Sequence, residues 1–304
     1  MPASIFRATG KRTNLQPQSS AQNFIDVHNE DELLAALTAL PRGDGNCYGK
    51  GINIVADITL TRALLMSADI HDGITISTPG RARINAGGFA ISVAAADAVI
   101  KDIWFVSPGL LTLSGERSSL SGVRLANSLG VLIEADDIIV FNIPKFSAGV
   151  GATAAFTVKS FNVSIRDIRI YEGTAAFTSD LDLVDGAGKV FFRDVQSFTG
   201  SGVLVSSSGL PVSEIWIIDC IASGHGAVDD ITISGQLWVV RGNRLNSSSI
   251  IRATAVTGGS SVIAGNLLVG SIITNAGSGY NTITGNVNVG TLTTDLFDAV
   301  GLNT

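Results

Sequence analysis

Hydrophobic and polar positions change their period once along this chain, near residue 50. Before that point, apolar residues at 33, 34, 37 and 40 follow a helical spacing, with Asn29 placed as N-cap and acidic residues in the first turn. After it, short apolar runs of β type, such as Ile103-Trp104-Phe105-Val106, alternate with Gly, Asp, Asn and Ser. The pattern predicts a short strand at 24–27, one short amphipathic helix and then strands alone.

The apolar runs recur in register, each with an apolar anchor two places before a small or polar turn residue. Successive anchors lie 20 to 27 residues apart, which indicates an internal repeat with variable loops. Apart from Ile76, the weakest match, the anchors are predicted to form one inward-facing stack. The anchors are Val55, Ile76, Ile100, Leu120, Val140, Ile165, Phe192, Ile218, Val240, Ile263 and Ile283.

A coil of this length can hold two or three short strands, each stacked on its counterpart about 4.8 Å away. A β-sandwich would instead show turns roughly every 8 to 12 residues. The later copies open the turn with Gly-Asn, as at Gly242-Asn243, and an asparagine there tolerates the left-handed conformation and can bond to the next coil. We therefore expect an all-β fold, a single right-handed parallel β-helix of about ten coils with a short N-terminal capping helix.

Four segments follow from this organisation. Residues 1–22 are polar and turn-rich and are predicted to form an extended N-terminal attachment arm. Residues 23–50 provide the strand and the capping helix, 51–290 the β-helix, and 291–304 a C-terminal cap.

Charged residues make up only 15% of the chain, against about 25% in a typical domain, while hydrophobic residues reach 45%. Such a surface predicts apolar strands on outer faces that meet partner chains, and we expect a homotrimer. The outward positions proposed for these contacts are Val131, Ile133, Ile138 and Ile272.

The net charge of −6 and the dispersal of 20 basic residues predict no basic stripe, and therefore no nucleic-acid partner. The N-terminus lacks the apolar stretch of a secretory signal. The chain contains no run of 18 apolar residues, so we expect no membrane insertion. Cys47 and Cys220 stand in no metal-ligand spacing and are predicted to be free thiols, Cys220 in a small core position. No metal or cofactor is expected.

Two carboxylates facing each other would suit glycoside hydrolysis, and Asp180 and Asp182 alternate on one face of a possible strand that could direct both into a groove. The alternative is that they belong to a solvated turn. Other acidic residues considered for such a site are Asp136, Asp137, Glu172, Asp185, Glu214, Asp229 and Asp230.

His225 lies in the segment Gly224-His225-Gly226, which resembles the Gly-His-Gly segment of polygalacturonases, themselves β-helices. That family also has an acidic pair one coil before the histidine and an Arg-x-Lys one coil after it. Here the preceding coil has only Asp194, and the following coil offers Arg241 and Arg244 without the lysine pattern. His225 is therefore a catalytic candidate alongside Asp180 and Asp182, with an ordinary turn histidine as the alternative.

The order of polar arm, strand, acidic-capped helix and glycine-rich β-coils resembles pectate-lyase-like β-helices and especially phage tailspikes and related virion appendages. The resemblance implies a structural surface protein of a phage virion, of tailspike, tail fibre or capsid-decoration type, that serves host attachment or particle stabilisation. Its implied partners are other virion proteins, contacted through the arm, and host surface polysaccharide. The alternative is a polysaccharide hydrolase or lyase of the same fold, although the incomplete acidic constellation argues against an enzyme.

Overall fold

The computed structural model describes residues 23–40, 47–68, 70–184, 187–198, 202–207, 212–223, 231–245, 250–268, 271–274 and 280–288. Apart from one helix, these residues form parallel strands that stack coil upon coil into a β-solenoid. The predicted fold class is confirmed, and the right-handed sense stays a prediction. The proposed arm at 1–22 and the proposed C-terminal cap at 291–304 lie outside the described residues.

Each coil contributes strands to three stacked columns, which we call sheets A, B and C in the order in which the chain visits them. Sheet A contains Asn23–Val27, Lys50–Ile54, Thr75–Ser77, Val99–Lys101, Ser119–Ser121, Val212–Ile218 and Tyr280–Thr284. Sheet B contains Ile58–Thr59, Arg83–Asn85, Trp104–Val106, Arg124–Ser128, Ile221–Ala222, Arg244–Leu245, Leu267–Leu268 and Val287–Asn288. Sheet C contains Leu64–Met66, Ile91–Val93, Leu111–Leu113, Val131–Ile133, Ala154–Val158, Ser179–Leu183, Val203–Ser207 and Ser271–Thr274.

Five longer strands bend around a corner and so belong to two sheets. Three run from sheet A into sheet B: Ile139–Ala148, Phe161–Tyr171 and Gly188–Phe198. Two run from sheet C into sheet A: Ile231–Arg241 and Ile250–Ala264.

A single inward column runs the length of sheet A, because each of its residues pairs in register with its counterpart on the next coil. Nine of the eleven predicted anchors belong to it, from Ile76 to Ile283, so the coil period inferred from the sequence is confirmed. The members, all buried, are Ile52, Ile76, Ile100, Leu120, Val140, Ile165, Phe192, Ile217, Val240, Ile263 and Ile283.

Two predicted anchors are wrong. Val55 is 36% exposed beyond the end of its strand, and Ile52 occupies the column instead. Ile218 pairs with Arg193 on the outer face, whereas its neighbour Ile217 points inward. A shift of one residue turns a strand side chain to the opposite face, and a pair of adjacent isoleucines gives no alternation from which to choose.

The predicted contact positions Val131, Ile133 and Ile138 are also wrong, since all three are buried in the core. Val131 and Ile133 alternate with half-buried Leu132 in sheet C, so the face assigned to solvent is the inner one. The side chain of Ile272 lies outside what the structure describes.

The corner between sheets A and B is made by one residue per coil in the left-handed conformation. At two of the glycines the preceding coil projects a carboxylate across the position: a Cβ on Gly122 would lie 2.3 Å from Asp102 Oδ1, and one on Gly242 would lie 2.4 Å from Asp219 Oδ1. The chain thus turns by a fixed local device that repeats along the rod. The residues are Asp102, Gly122, Asn142, Asp167, Asp194, Asp219, Gly242, Gly265 and Gly285, with φ between 53° and 69°.

Immediately after this corner, Asn243, Asn266 and Asn286 form a ladder in the last described coils. The Asn266 amide oxygen accepts hydrogen bonds from the backbone N–H and the side-chain amide of Asn243, both at 2.9 Å, and its own amide donates to Val240 O and to Asn286 Oδ1. In these coils glycine takes the left-handed position, and the buried asparagine links the coils.

The predicted capping helix is present as α1 (Glu30–Ala39), with Asn29 as N-cap and Leu33 buried beneath it. The helix is attached to the first coils at its C-terminal end by buried His71. The His71 Nδ1 atom accepts from the Ser67 backbone N–H at 2.9 Å, so Nε2 carries the proton and donates to Leu37 O at 2.8 Å. Helix and strands therefore share one core.

Replacing Asn266 with Ala should lower the free energy of unfolding by roughly 2–4 kcal/mol, because it leaves buried donors and acceptors of two other coils without partners. Urea unfolding followed by circular dichroism measures the change. The control is Asn85→Ala on an exposed strand, which should cost about 0.5 kcal/mol or less. Equal losses in the two variants would contradict the structural role of the ladder.

Candidate functional site

Basic side chains that are scattered in the sequence form one row on the outer face of sheet B. Arg83, Trp104 and Arg124 pair in register on three successive coils, and Arg124 pairs with Lys145 on the next. Arg169 follows, in register with Gln196. The prediction that no basic stripe exists is wrong, because residues one coil length apart in sequence align in a solenoid. We call Arg83, Trp104, Arg124, Lys145 and Arg169 the basic ladder.

The first three members of the basic ladder form a stack. The Arg83 guanidinium carbon lies 4.1 Å from the centre of the Trp104 ring, and that of Arg124 lies 5.6 Å from it. Both distances are within the range of cation–π attraction. The Trp104 indole nitrogen is buried with no hydrogen-bond partner among the described residues, so stacking contacts fix this ring.

A second set of basic side chains faces the basic ladder from the sheet A side of the corner. Lys101, Arg166 and Arg193 lie in one outward column, directly before the left-handed residues. Arg166 lies over the Phe141 ring at 5.4 Å, and Arg193 forms an ion pair with Asp194 at 3.0 Å. The corner therefore has cations on both sides and aspartates along its middle.

Two cavities follow one another along this corner. The first, of about 300 Å³, is lined by Thr78, Pro79, Arg81, Asp102, Ile103, Trp104, Gly122 and Arg124. The second, of about 590 Å³, is lined by Asn142, Pro144, Asp167, Ile168, Arg169, Asp194 and Gln196. Since the second begins on the coil after the first ends, we treat them as one groove, the corner groove.

Of the two carboxylates proposed from the sequence, Asp180 is buried and Asp182 is half-buried. Asp180 is 1% exposed, and Ala155 and Leu204, at the corresponding positions of the adjacent coils, are also fully buried. Asp182 is half-buried and accepts a hydrogen bond from Ser206 Oγ at 2.8 Å. Asp180 and Asp182 lie on one face of the strand, as predicted. The expectation that both carboxylates open into a groove is wrong for Asp180, because its side chain is buried.

His225, Asp185, Asp229 and Asp230 lie outside the described residues, so their candidacy stays a prediction. Two other acidic candidates have structural bonds to the next coil: Asp136 Oδ1 accepts from the Phe161 N–H at 2.7 Å, and Asp137 accepts from the Asn162 side chain. The remaining candidates are Glu172, which is exposed, and Glu214, which is half-buried.

Neither Cys47 nor Cys220 forms a disulfide, and Cys220 is buried in the core, as predicted; Cys47 is buried as well. Burial raises the pKa of Cys220 to about 12, and the carboxylates of Asp194, Asp180 and Asp219 add to the rise, while a hydrogen bond from the Val195 backbone opposes it. A thiol in this state is neither a nucleophile nor a metal ligand at neutral pH.

The outer face of sheet A carries a row of apolar side chains. Ile139 is 42% exposed, and the Phe191 and Trp216 rings stack on neighbouring coils with their centres 5.7 Å apart. Val239 and Val262 continue the row in register, while Ser164 stands between Ile139 and Phe191. We call the five apolar residues the apolar row.

The chain matches no model of a known protein family, and no curated protein matches its sequence. Within the described residues, no three His, Cys, Asp or Glu side chains are grouped so that they could hold a metal ion. No helix in the described part of the chain has the length and apolar character needed to cross a membrane.

Neither native thiol should react with Ellman's reagent at pH 8, because both are buried and the pKa of Cys220 lies far above that pH. Unfolding in guanidinium should release two equivalents of reactive thiol. Ser114→Cys, at an exposed position, provides the positive control and should react at once in the folded protein. Rapid reaction of the unmodified folded chain would contradict the burial of these cysteines.

Proposed function

We propose that this protein is a structural surface protein of a phage virion, acting in host attachment or particle stabilisation rather than in catalysis. The observation that carries the proposal is the pair of long faces on the solenoid: the basic and polar corner groove, and the apolar row on sheet A. Each repeats coil by coil over several coils, and such extended faces suit contact with large partners.

The apolar row supports a homotrimer. The five side chains lie on one outer face, and the stack of Phe191 on Trp216 offers a rigid aromatic centre for contact. Three parallel copies around one axis would bury like faces symmetrically, and a closed cyclic assembly avoids open-ended polymerisation. In this arrangement the corner groove stays accessible, since it lies at the edge that sheet A shares with sheet B.

The trimer is tested by replacing Trp216 with Lys at the centre of the apolar row. This variant should sediment as a monomer at micromolar concentration, whereas Leu65→Lys, an equally drastic change at an exposed site on sheet C, should leave the trimer intact. Light scattering reports the mass of each. A monomeric unmodified protein would contradict the trimer.

Attachment to the particle is tested by deleting residues 1–22. The proposal expects chains that are still trimeric by light scattering but fail to enter particles, because the arm is proposed to make the contact with other virion proteins. Quantitative mass spectrometry of purified particles measures incorporation. Normal incorporation without the arm would contradict this role.

The alternative, a polysaccharide hydrolase or lyase, predicts release of reducing ends or of unsaturated sugars from host capsule. We expect no such release, because Asp180 is buried and Asp182 is bonded to Ser206 rather than paired across a cleft. Release that disappears in Asp180→Asn or Asp182→Asn would establish the enzyme instead.

A further inference from the structure

We infer that the corner groove binds an acidic polysaccharide through the basic ladder, an inference that rests on the proposed attachment function and names its ligand. The groove lies on sheets A and B, away from the sheet C carboxylates Asp180 and Asp182. Binding there would therefore be independent of the residues that the sequence suggested for cleavage.

The stack of Arg83, Trp104 and Arg124 fixes where an anion would bind. Arg83 and Arg124 come from the coils on either side of Trp104, so the indole lies between two guanidinium groups. A guanidinium whose flat face rests on a ring keeps its N–H edge free to bond a carboxylate with two parallel hydrogen bonds. Because stacking already restrains both side chains, less conformational entropy is lost on binding.

The basic ladder forms no ion pair within the described part of the chain. The ion pairs of arginine there involve Arg62, Arg117 and Arg193, and none involves the basic ladder. The nearest recorded carboxylate contact is made by the Arg83 backbone, whose N–H donates to Asp57 Oδ1 at 2.8 Å. The two cavity linings hold three arginines and three aspartates, Arg81, Arg124 and Arg169 against Asp102, Asp167 and Asp194. The excess of positive charge on this face therefore comes from Arg83 and Lys145, the ladder residues beside the cavities.

The groove has the length of an extended chain rather than of a single small ion. Its linings run from Thr78 to Gln196 and include the corner positions of six successive coils, so five rises of about 4.8 Å give a length of about 24 Å. Along the basic ladder, Arg124, Lys145 and Arg169 stand on consecutive coils. A linear polymer with repeated negative charges matches this arrangement.

Sugar chemistry fits the groove better than nucleic acid does. The carboxylates of Asp102, Asp167 and Asp194 can accept hydrogen bonds from sugar hydroxyls, which the backbone of DNA lacks. Asn142 and Gln196 add neutral donors and acceptors for hydroxyls. Trp104, the only tryptophan in the lining, is covered by guanidinium groups and offers no free face on which a base could stack.

The test is calorimetric titration of the full-length protein with an oligouronate, with neutral dextran oligomers of equal length as the uncharged control. We expect binding of the oligouronate alone, weakening as salt is raised. Arg83→Gln, Arg124→Gln and Arg169→Gln should each raise the dissociation constant about tenfold or more, since each removes a charge-assisted contact. Lys159→Gln, an exposed cation paired with Glu134 outside the groove, should leave it unchanged.

Unchanged urea midpoints would show that the variants fold, and Arg169→Gln is informative even if the Trp104 stack is disturbed, because Arg169 takes no part in it. Equal binding of dextran, unchanged affinity in all three arginine variants, or tighter binding of an oligodeoxynucleotide of equal charge would overturn the inference. Incorporation into particles is measured on the same preparations. If the unmodified protein enters particles normally but binds no oligouronate, this inference fails while the proposed virion role stands.

Discussion

The vertical register between coils is the constraint on which the rest of the structure depends. Every recorded pairing between strands is parallel, and the hydrogen bonds hold each residue directly over its counterpart on the coil below. A residue type repeated at one phase of the coil therefore becomes a continuous column. Inside the rod this yields the isoleucine-rich core, and outside it yields faces of uniform character.

The corner between sheets A and B shows how local chemistry maintains that register. One left-handed residue per coil redirects the chain at the same place each time. The residue that follows it is buried, and along the chain it is first apolar, as at Val195, then Cys220 and finally an asparagine. Cys220 is the junction, since its backbone N–H donates to Asn243 Oδ1 at 2.9 Å. An apolar column and a polar ladder can thus follow one another because every amide in the ladder is satisfied.

Sequence patterns were sufficient to predict the solenoid, its period, the capping helix with Asn29 and the burial of Cys220. They failed where two adjacent positions were equally apolar, as at Ile217 and Ile218, and where a short apolar strand could face either way, as at Val131 and Ile133. In both cases the strand has no polar residue alternating with the apolar ones, so the hydrophobic pattern does not show which face points inward.

The functional surface was harder to predict for a different reason. Arg83, Trp104, Arg124, Lys145 and Arg169 are separated by 20 to 24 residues, and the varying loop lengths hide their common phase until each coil is aligned on its neighbours. The anchors that define this alignment are visible in the sequence. The number of basic residues in the whole chain, however, does not reveal that five positions of the basic ladder share one phase of the coil. The burial of Asp180 could not be predicted because strand alternation indicates which face a side chain lies on, not whether that face is open to solvent.

Electron–electron distance spectroscopy on spin labels along one outer column measures the coil-by-coil register directly. Lys101 is labelled with Arg166, Arg193 or Arg241, which lie in the same outward column three, four and six coils away. The account predicts distances that grow by about 4.8 Å for each coil crossed, whatever the number of residues between the labels. Distances that do not follow the coil number, or that shorten between Arg166 and Arg241, would contradict it.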